Sequence, residues 1–495
     1  MIKSLLVLGG GNAGLMSALY HKKSIDNLDI TLIKSDKIGT IGVGEGSTEH
    51  WRRFADAVGI TMTDLARECG ATIKIGIKFE DWHGDKTSYY HSLPEPYIYT
   101  DAYTGDAHTM MRLISEGVDS ESLHWDLPMQ GYVSPPFEDY YQFHFDSEKL
   151  NAFLEKRCVE AGINVITTEV EDVIINGHGF VESVIDVERR THNADFFIDS
   201  SGFKRVIASK LGAKWVDWSE FLPMNSAIAF QTPRKEDIPP YTLSKALSAG
   251  WHWRSPVQER FGNGYVFSDQ FISEDEAIAE IQSLFSDTIN IGRKINFVSG
   301  KVDKFWIKNC VSIGLSSNFV EPLEASSISA TIQQSRALVA ALATWQPGDE
   351  ATINEYNRIF DDCLSNVLDF IQLHYFTQRE DSKFWRWCKN EIKYTDFNKE
   401  NLENFKKQFV NQILLPEDGS HGSFRIYDHL NWIQVMHGLR MFDIPSIQKI
   451  YNERYSKYRA EDIAQLSMLP QSPGKNWMKC REAVETLKGR TTYSL

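Results

Sequence analysis

Short apolar runs mark the strands of a buried parallel sheet at widely separated points of the chain. Leu5–Leu8 is wholly apolar, and Ile30–Ile33 follows it after a helical stretch. The runs at 195–199 and 311–314 have the same character. Strands buried on both faces form nearly continuous apolar runs, and a strand–helix–strand unit takes about 30 residues. We therefore predict an α/β fold with a Rossmann-like core assembled from distant parts of the sequence.

The segments between and after these runs predict how the chain is organised. We assign residues 1–345 to the α/β core and residues 346–495, where the pattern is helical and charged, to a helical C-terminal subdomain. Within the core, Asn176-Gly177 between two apolar runs indicates a hairpin turn. The three strand-bearing segments cover approximately 1–84, 146–215 and 295–345. The two insertions expected on the substrate side cover approximately 85–145 and 216–294.

Composition and charge narrow the functional classes. The 495 residues are 42% hydrophobic and 24% charged, as in ordinary globular proteins. With 52 Lys and Arg against 67 Asp and Glu, the net charge of −15 argues against a nucleic-acid partner. The most apolar stretch, Ala337–Trp345, is too short to span a membrane, and the first residues lack a signal-peptide pattern.

The cysteine spacing indicates the compartment. No two cysteines form a CxxC pair, so we expect neither a disulfide framework nor a bound metal. A reducing, cytoplasmic setting is the expectation. The six cysteines are Cys69, Cys158, Cys310, Cys363, Cys388 and Cys480.

A glycine-rich turn follows the first apolar run. Gly9-x-Gly11-x-x-Gly14 lies between a strand and a helix, which is the context of the dinucleotide fingerprint. Its glycines allow a tight turn and close approach of the backbone to a pyrophosphate, and the helix N-terminus supplies N–H groups. The chain has one such fingerprint, which favours FAD held alone, with reducing equivalents supplied from outside. The residues predicted here to bind the dinucleotide are Gly9, Gly11, Asn12, Ala13 and Gly14.

Two nearby stretches leave alternatives open. About 20 residues after the fingerprint, where an acid usually binds the ribose, the chain has Lys34-Ser35-Asp36. Either Asp36 serves or the ribose is held otherwise. The second glycine-rich loop is either a flexible turn or a loop that contacts the flavin. Its residues are Gly42, Val43, Gly44 and Glu45, followed by Gly46.

Three charged side chains have a simple interpretation from spacing alone. Strand alternation places Lys74 on the same face as Gly76 and Lys78, which fits a solvated strand face. Glu321 and Glu324 fit a surface turn. On these patterns alone, none of the three needs a catalytic role.

Five stretches taken together carry a more specific signal. They are Gly9–Gly14; Gly42–Glu45; Lys74 with Ile77-x-Phe79-x-x-Trp82; Trp251-x-Trp253-x-x-Pro256 with Gly262-x-Gly264-Tyr265-Val266; and Asn309–Gly314 running into Phe319–Glu324. This combination resembles the flavin-dependent tryptophan halogenase family over roughly residues 3–390. The two-tryptophan motif together with the lysine distinguishes that family from flavin monooxygenases.

The resemblance implies a fold and a chemistry. It implies a single FAD-binding core of the glutathione-reductase type, with FADH2 supplied by a separate NAD(P)H-dependent flavin reductase. Oxygen and halide would then give hypohalous acid, which reaches Lys74 and is hydrogen-bonded there or converted to a haloamine. Glu324 would polarise the halogen or take the ring proton of an electron-rich aromatic substrate. Gly314 would join the cofactor-binding residues.

The resemblance also implies roles for three aromatic residues. His91 matches a histidine that stacks near the substrate ring, although a buried, hydrogen-bonded histidine is the alternative. Trp251 and Trp253 would separate the flavin from the substrate, although packing in a core strand explains them nearly as well.

Three departures from the family pattern limit what carries over. Ser255 replaces an isoleucine. Ala325-Ser326-Ser327 replaces Ser-Thr-Gly in the halide-binding loop, and losing the glycine is expected to change the allowed backbone angles at Ser327. The residues that clasp free tryptophan have no counterpart, since Pro416–Gly422 is a short polar loop. We therefore expect an indole-like or phenol-like substrate, with chloride, bromide and iodide all open.

Other functions stay open from the sequence. A flavin monooxygenase or dehydrogenase on the same fold is the main alternative to a halogenase, and a silent flavin-binding protein is a further one. A homo-oligomer is compatible with the sequence but not indicated by it.

Overall fold

The structure is a computed structural model. It describes residues 2–37, 45–92, 111, 114–118, 131–135, 142–234, 237–408, 424–454 and 477–489. The strands are β1 (Ser4–Leu8), β2 (Asp29–Lys34), β3 (Glu45–Gly46), β4 (Thr72–Lys74), β5 (Gly76–Glu80), β6 (Ser88–Ser92), β7 (Tyr132–Val133), β8 (Gln142–Phe145), β9 (Asn164–Thr167), β10 (Val170–Ile175), β11 (Val181–Asp186), β12 (Thr191–Asn193), β13 (Phe196–Asp199), β14 (Trp215–Asp217), β15 (Ser226–Pro233), β16 (Thr242–Leu247), β17 (Gly250–Pro256), β18 (Arg260–Phe267), β19 (Ile291–Asn296), β20 (Gly300–Val302), β21 (Trp306–Ile307), β22 (Cys310–Ser312), β23 (Asn318–Phe319) and β24 (Met478–Lys479).

The helices, numbered over the described ranges, are α1 (Asn12–Ser24), α2 (His50–Val58), α3 (Met62–Glu68), α4 (Ser147–Glu160), α5 (Val206–Lys210), α6 (Glu274–Gln282), α7 (Ser326–Leu342), α8 (Glu350–Leu373), α9 (Lys383–Asn390), α10 (Asp396–Phe405), α11 (His429–Gly438), α12 (Ile444–Arg454) and α13 (Cys480–Gly489).

A six-stranded sheet forms the core that the separated apolar runs predict. Its order is β21-β22-β13-β1-β2-β9, and all neighbouring strands are parallel except β21 and β22. Val7 at the centre of β1 lies between Leu32 of β2 and Ile198 of β13, and all three are buried. Strand β9 has no continuous apolar run, so the sequence pattern did not predict it. The α/β, Rossmann-like fold is confirmed.

A seven-stranded sheet, in the order β19-β15-β18-β17-β16-β5-β6, lies mostly within the predicted insertions. Strands β15 to β19 form a largely antiparallel unit, and β5 adds to it in parallel, with Ile77 opposite Thr242. Strand β5 falls within 1–84, the first strand-bearing segment predicted for the core. It lies in this second sheet instead because the chain changes sheet between β4 and β5.

The hairpin predicted at Asn176-Gly177 is confirmed. Strands β10 and β11 pair in an antiparallel manner on either side of it. The Asn176 side-chain oxygen accepts hydrogen bonds from the backbone N–H groups of His178 (2.9 Å) and Phe180 (3.1 Å), which close the turn.

The chain beyond residue 346 is mainly helical in the ranges that the structure describes, from α8 to α13. The boundary between the core and a C-terminal subdomain, placed between residues 345 and 346, stays a prediction from the sequence. Across the described ranges, no helix combines the length and the apolar character needed to cross a membrane.

Candidate active site

The turn after β1 has the backbone geometry that the fingerprint requires. Gly9 has φ +129°, and a Cβ there would lie 2.1 Å from the Ser200 carbonyl oxygen. A Cβ on Gly14 would lie 2.0 Å from the Gly9 carbonyl oxygen. No atom lies within 4 Å of a Cβ built on Gly11, so this side of the turn is open for a ligand. The N-terminus of α1 has no capping side chain and no acid in its first turn, so its N–H groups suit a phosphate.

A cavity of about 800 Å³ lies against this turn. Its size suits a dinucleotide, and its wall combines the glycine turn with apolar and aromatic side chains. Gly314 (φ +68°) also contributes, with its Cα so close to Ala13 that a Cβ would lie 2.6 Å from the alanine Cβ. The predicted cofactor-binding and substrate-side residues that line the cavity are Gly9, Gly11, Asn12, Ala13, Gly314, Trp251, Trp253 and Ser327. The residues present therefore fit FAD.

The other predicted cofactor-binding residues are Gly14 and the second glycine-rich loop. Gly14 packs behind the turn rather than lining the cavity. Residues 42–44 of the second glycine-rich loop lie outside the described residues, and Glu45 is described only by its backbone, which pairs with Phe145. The next residue, Gly46, does line the cavity.

Lys74 is buried, so its interpretation as part of a solvated strand face is wrong. The alternation breaks at Ile75, whose N–H donates to the Pro240 carbonyl oxygen, and β5 then begins in another sheet. Lys74 ends β4 with 2% of its surface exposed, and its Nζ donates to the Ser47 carbonyl oxygen at 2.8 Å. A buried ammonium with one carbonyl partner is costly to maintain, which points to a role other than solubility.

The Lys74 amine lies directly behind the cavity wall. Gly46 lines the cavity, and a Cβ built on it would lie 3.3 Å from Lys74 Nζ, so the amine lies next to a residue of the cavity wall. Burial lowers the pKa of Lys74 to about 8, although the charges of Glu324 and Glu49 partly offset that effect. Near neutral pH the side chain is mostly a positioned donor, with a small amine fraction.

Glu324 is also buried, so the prediction that it lies in a surface turn is wrong. It ends a 3₁₀ turn (Pro322–Glu324) immediately before α7 and is 2% exposed. Its carboxylate lies between two imidazoles: Oε2 is 2.7 Å from His91 Nδ1, and Oε1 is 2.8 Å from His374 Nε2. Burial alone would raise the pKa of Glu324, but His91 and His374 outweigh it and lower the pKa to about 2.

The two imidazoles are fixed from their other sides. His374 Nδ1 lies 3.0 Å from the Phe370 carbonyl oxygen, which can only accept a hydrogen bond. His91 Nε2 lies 2.9 Å from the side-chain nitrogen of Asn431. His91 is thus a buried, hydrogen-bonded histidine, which was the alternative to a histidine that stacks near the substrate. Its ring packs edge-on to that of Phe370, and the ring centroids are 5.5 Å apart.

Sequence reasoning missed three of these partners. Ser47 contributes only a backbone carbonyl, and Asn431 comes from α11, 340 residues after His91 in the chain. His374 had only a weak signal, because it lies within residues 3–390, the range of the family resemblance, but in none of its five stretches. Nothing in its spacing connected it with Glu324.

Glu321 is buried too and connects Trp251 with Tyr375, so a surface turn is wrong for it as well. Its Oε1 accepts hydrogen bonds from Trp251 Nε1 (3.2 Å) and from the Tyr375 hydroxyl. Its Oε2 has no partner among the described residues. Burial raises the pKa of Glu321 to about 7, against the lowering effect of these two donors.

The two tryptophans of β17 form part of the cavity wall. Their rings lie next to each other, and that of Trp253 packs against β18. Trp251 is 1% exposed, and its ring lies 6.3 Å from that of Trp253, centroid to centroid. The Trp253 ring covers Gly264 of β18 so closely that a Cβ there would lie 1.8 Å from it. Ser255, on the same strand, also lines the cavity.

The predicted halide loop begins α7. Ala325, just before the helix, has a left-handed backbone (φ 54°, ψ 33°), whereas Ser327 has none of that strain as the second residue of the helix. The expected change in backbone angles at Ser327 is therefore wrong, because the left-handed conformation falls two residues earlier, on Ala325. Ser326 is buried, and Ser327 is exposed on the cavity wall.

These features fit a flavoprotein in which a dinucleotide cavity lies near a buried lysine and a buried carboxylate. A family model described as tryptophan halogenase matches residues 4–450. The chain is 31% identical to tryptophan 6-halogenase ThaL of Streptomyces albogriseolus over 463 residues, 86% of each protein. It is also 31% identical to tryptophan 7-halogenase RebH of Lentzea aerocolonigenes over 492 residues, covering 90% of this chain and 91% of that one.

Solved structures agree with these relatives. Xcc4156, a flavin-dependent halogenase from Xanthomonas campestris, superposes with a TM-score of 0.83 at 27% identity and covers 98% of both chains. The chain belongs to the tryptophan halogenase family. It is a flavin-dependent halogenase, an oxidoreductase that uses reduced FAD and halide.

Proposed function

We propose that this enzyme halogenates an electron-rich aromatic substrate, indole-like or phenol-like, with Lys74 and Glu324 at the reacting position. The observation that carries the proposal is the place of Lys74 Nζ, buried behind Gly46 on the wall of the dinucleotide cavity. An oxidised halogen species formed in the cavity would meet this amine beside the cavity wall.

The cofactor site combines the glycine turn with the α1 N-terminus. Gly9, Gly11 and the first N–H groups of α1 would bind the pyrophosphate, and Gly314 would let the chain approach the cofactor closely. When bound and reduced, FAD supplies with oxygen and halide the equivalent of hypohalous acid. Trp251 and Trp253 would form the wall that keeps the substrate apart from the flavin.

Lys74 would hold the oxidised halogen for the substrate. As an ammonium it donates a hydrogen bond from a fixed position, because the Ser47 carbonyl oxygen orients Nζ. Its pKa of about 8 also leaves an amine fraction that could form a haloamine. Both modes require the same buried amine, so the same variant tests both.

Glu324 would act on the substrate ring. With a pKa of about 2 it is ionised near neutral pH, so it can stabilise the positive ring or accept its proton. Hydrogen bonds from His91 and His374 hold the carboxylate in one orientation. His91 would thereby position the base in addition to any contact with the substrate.

The α7 N-terminus would bind the halide. Backbone N–H groups of Ser326 and Ser327 have no capping side chain, and the end of a 17-residue helix attracts anions. Chloride, bromide and iodide all remain candidates, because the Ser327 side chain reduces the space that glycine would leave.

The reducing equivalents would come from a separate NAD(P)H-dependent flavin reductase. One fingerprint and one Rossmann-like sheet support this among the residues that the structure describes. All six cysteines are free and buried, which fits a reducing, cytoplasmic compartment.

The test is a product assay by mass spectrometry. Purified enzyme receives FAD, a generic flavin reductase with NADH, one halide at a time, and a panel of indoles and phenols that includes free tryptophan. We expect a halogenated indole or phenol from the wild type, no such product from Lys74→Ala, and an undiminished product from Lys78→Ala. Lys78 is the matched control because it lies four residues away, partly exposed and paired with Glu80.

Each other outcome contradicts a stated part of the proposal. A hydroxylated product would identify a monooxygenase. Free tryptophan as the best substrate would overturn the substrate class. Halogenation by Lys74→Ala at the wild-type rate would overturn the role of the lysine, provided that the variant binds FAD as the wild type does.

A further inference from the structure

Helix α4 presents one face to the cofactor cavity. Glu148, Asn151 and Glu155, at spacings of three and four residues, line the cavity together. Asn151 Nδ2 donates to the Gly10 carbonyl oxygen at 2.9 Å and to Asn12 Oδ1 at 3.1 Å. The helix is therefore fixed to the glycine turn, and its side chains have defined positions relative to any dinucleotide bound there.

Strand β2 ends in a residue that cannot perform the usual task of this position. In dinucleotide-binding folds an acid there accepts hydrogen bonds from a ribose. Here the residue is Lys34, and an ammonium has no acceptor. A Cβ on Gly10 would lie 2.4 Å from Lys34 Cβ, so the lysine stem packs against the glycine turn.

The Lys34 ammonium has two acidic neighbours on the cavity wall. Its Nζ lies 2.8 Å from Glu155 Oε2 and 3.4 Å from Asp36 Oδ1. The Asp36 side chain is 71% exposed, whereas those of Lys34 and Glu155 are 20% and 29% exposed. Side chains in water exchange partners freely, so the more buried Lys34–Glu155 pair is the better-fixed one.

We propose that Glu155 binds the ribose hydroxyls of the adenosine half of FAD, in place of an acid at the end of β2, and that Lys34 is its positioning residue. Lys34 Nζ donates to Oε2 of Glu155. A carboxylate has further acceptor sites on both oxygens, which can accept hydrogen bonds from the ribose hydroxyls. Asp36, the candidate that the sequence suggested, is more exposed and less well positioned.

The inference rests on the assignment of the cavity to FAD, and FAD binding tests both without any halogenation. Apo-enzyme is titrated with FAD and with an FAD analogue that carries 2′-deoxyadenosine, by flavin fluorescence or calorimetry. We expect Glu155→Gln to raise the Kd for FAD about tenfold, because hydrogen bonds to a charged carboxylate are stronger than those to a neutral amide. Asp36→Asn, at the competing acid, and Glu160→Gln, at an exposed residue of α4 that does not line the cavity, should stay within about twofold of the wild type.

The analogue shows whether the lost contact is to the ribose. The wild type should bind the 2′-deoxy analogue more weakly than FAD, whereas Glu155→Gln should bind both alike, because the variant has already lost the contact. Lys34→Met should also discriminate less between the two ligands, a readout that a purely structural role would not change.

Three results would overturn the inference. Glu155→Gln with wild-type affinity for FAD would remove Glu155 from the site. A loss confined to Asp36→Asn would assign the ribose to Asp36. Equal loss of both ligands in Glu155→Gln, with the wild-type discrimination kept, would indicate a structural residue. A wild type that binds no FAD would refute the cavity assignment itself, while a protein that binds FAD but halogenates nothing would leave this inference intact.

Discussion

At the scale of residues, the site depends on buried charges that hold one another in place. Glu324 is ionised in a dry environment because two imidazoles donate to it, one to each oxygen. The Phe370 carbonyl oxygen further fixes the orientation of the His374 ring, because it accepts a hydrogen bond from Nδ1. A base held in this way needs no reorientation before it accepts a proton, which is how preorganised groups contribute to catalysis.

The first prediction concerns Glu324→Gln. Glutamine keeps the size of the side chain, and its amide can still accept from one imidazole and donate to the other. The variant therefore removes basicity and charge but little structure. We expect the rate of halogenation to fall on the order of 10²–10⁴, with FAD affinity unchanged. Single-turnover product formation measures it, and a rate within about twofold of the wild type would remove Glu324 from the chemistry.

At the scale of elements, Glu321 joins three parts of the fold. It precedes the 3₁₀ turn that carries Glu324, and it accepts hydrogen bonds from Trp251 on β17 and from Tyr375, two residues after α8. Burial favours the protonated form of this carboxyl, against the opposing effect of its two donors. Glu321, with its pKa raised to about 7, thus connects the cavity wall with the turn that carries Glu324.

The second prediction follows from the sign of that titration. The pKa of Glu321 is raised to about 7 in the folded protein, so the stability it contributes is present below its unfolded pKa and is lost as pH rises through 7. Glu321→Gln cannot ionise. We expect it to match the wild type at pH 5 and to exceed it at pH 8 by on the order of 2 kcal/mol.

Urea unfolding at the two pH values measures this difference. Glu350→Gln, at an exposed acid on α8, is the control and should show no such dependence on pH. If Glu321→Gln were destabilised equally at both pH values, the carboxyl would be serving as a fixed ion rather than as a neutral acid.

The elements also show what the sequence could predict. The strands around Val7 and the turn at Gly9 depend on local patterns, apolar runs and glycine spacing, and they are where the sequence indicated. Lys74 and Glu324 were expected at the surface because alternation and a proline turn say nothing about distant neighbours. Lys74 is buried because the chain changes sheet at Ile75, and Glu324 is enclosed by His91, 233 residues before it, and by His374, 50 residues after it.

At the scale of the whole molecule, buried histidines make the fold sensitive to acid. The chain has 14 histidines, and several are buried in different parts of the core. Burial lowers the pKa of His21 on α1 and of His252 on β17 to about 4 each, although one hydrogen bond partly offsets the effect in each case. These side chains are neutral in the folded protein and become charged on unfolding, so acid favours the unfolded chain.

The third prediction tests this with His21→Leu. His21 Nδ1 donates to the Ser17 carbonyl oxygen one turn earlier in the helix, and its Nε2 has no partner among the described residues. Because the folded pKa is depressed, the unfolded chain binds more protons between pH 6.5 and 4, and stability falls as pH falls through that window. Leucine removes this term, which amounts to at most roughly 3 kcal/mol at pH 4. The free energy of unfolding, from urea titrations at several pH values, should fall less steeply with acid in His21→Leu than in the wild type. The exposed His178→Leu should keep the wild-type slope, and an unchanged slope in His21→Leu would mean that acid sensitivity arises elsewhere in the core.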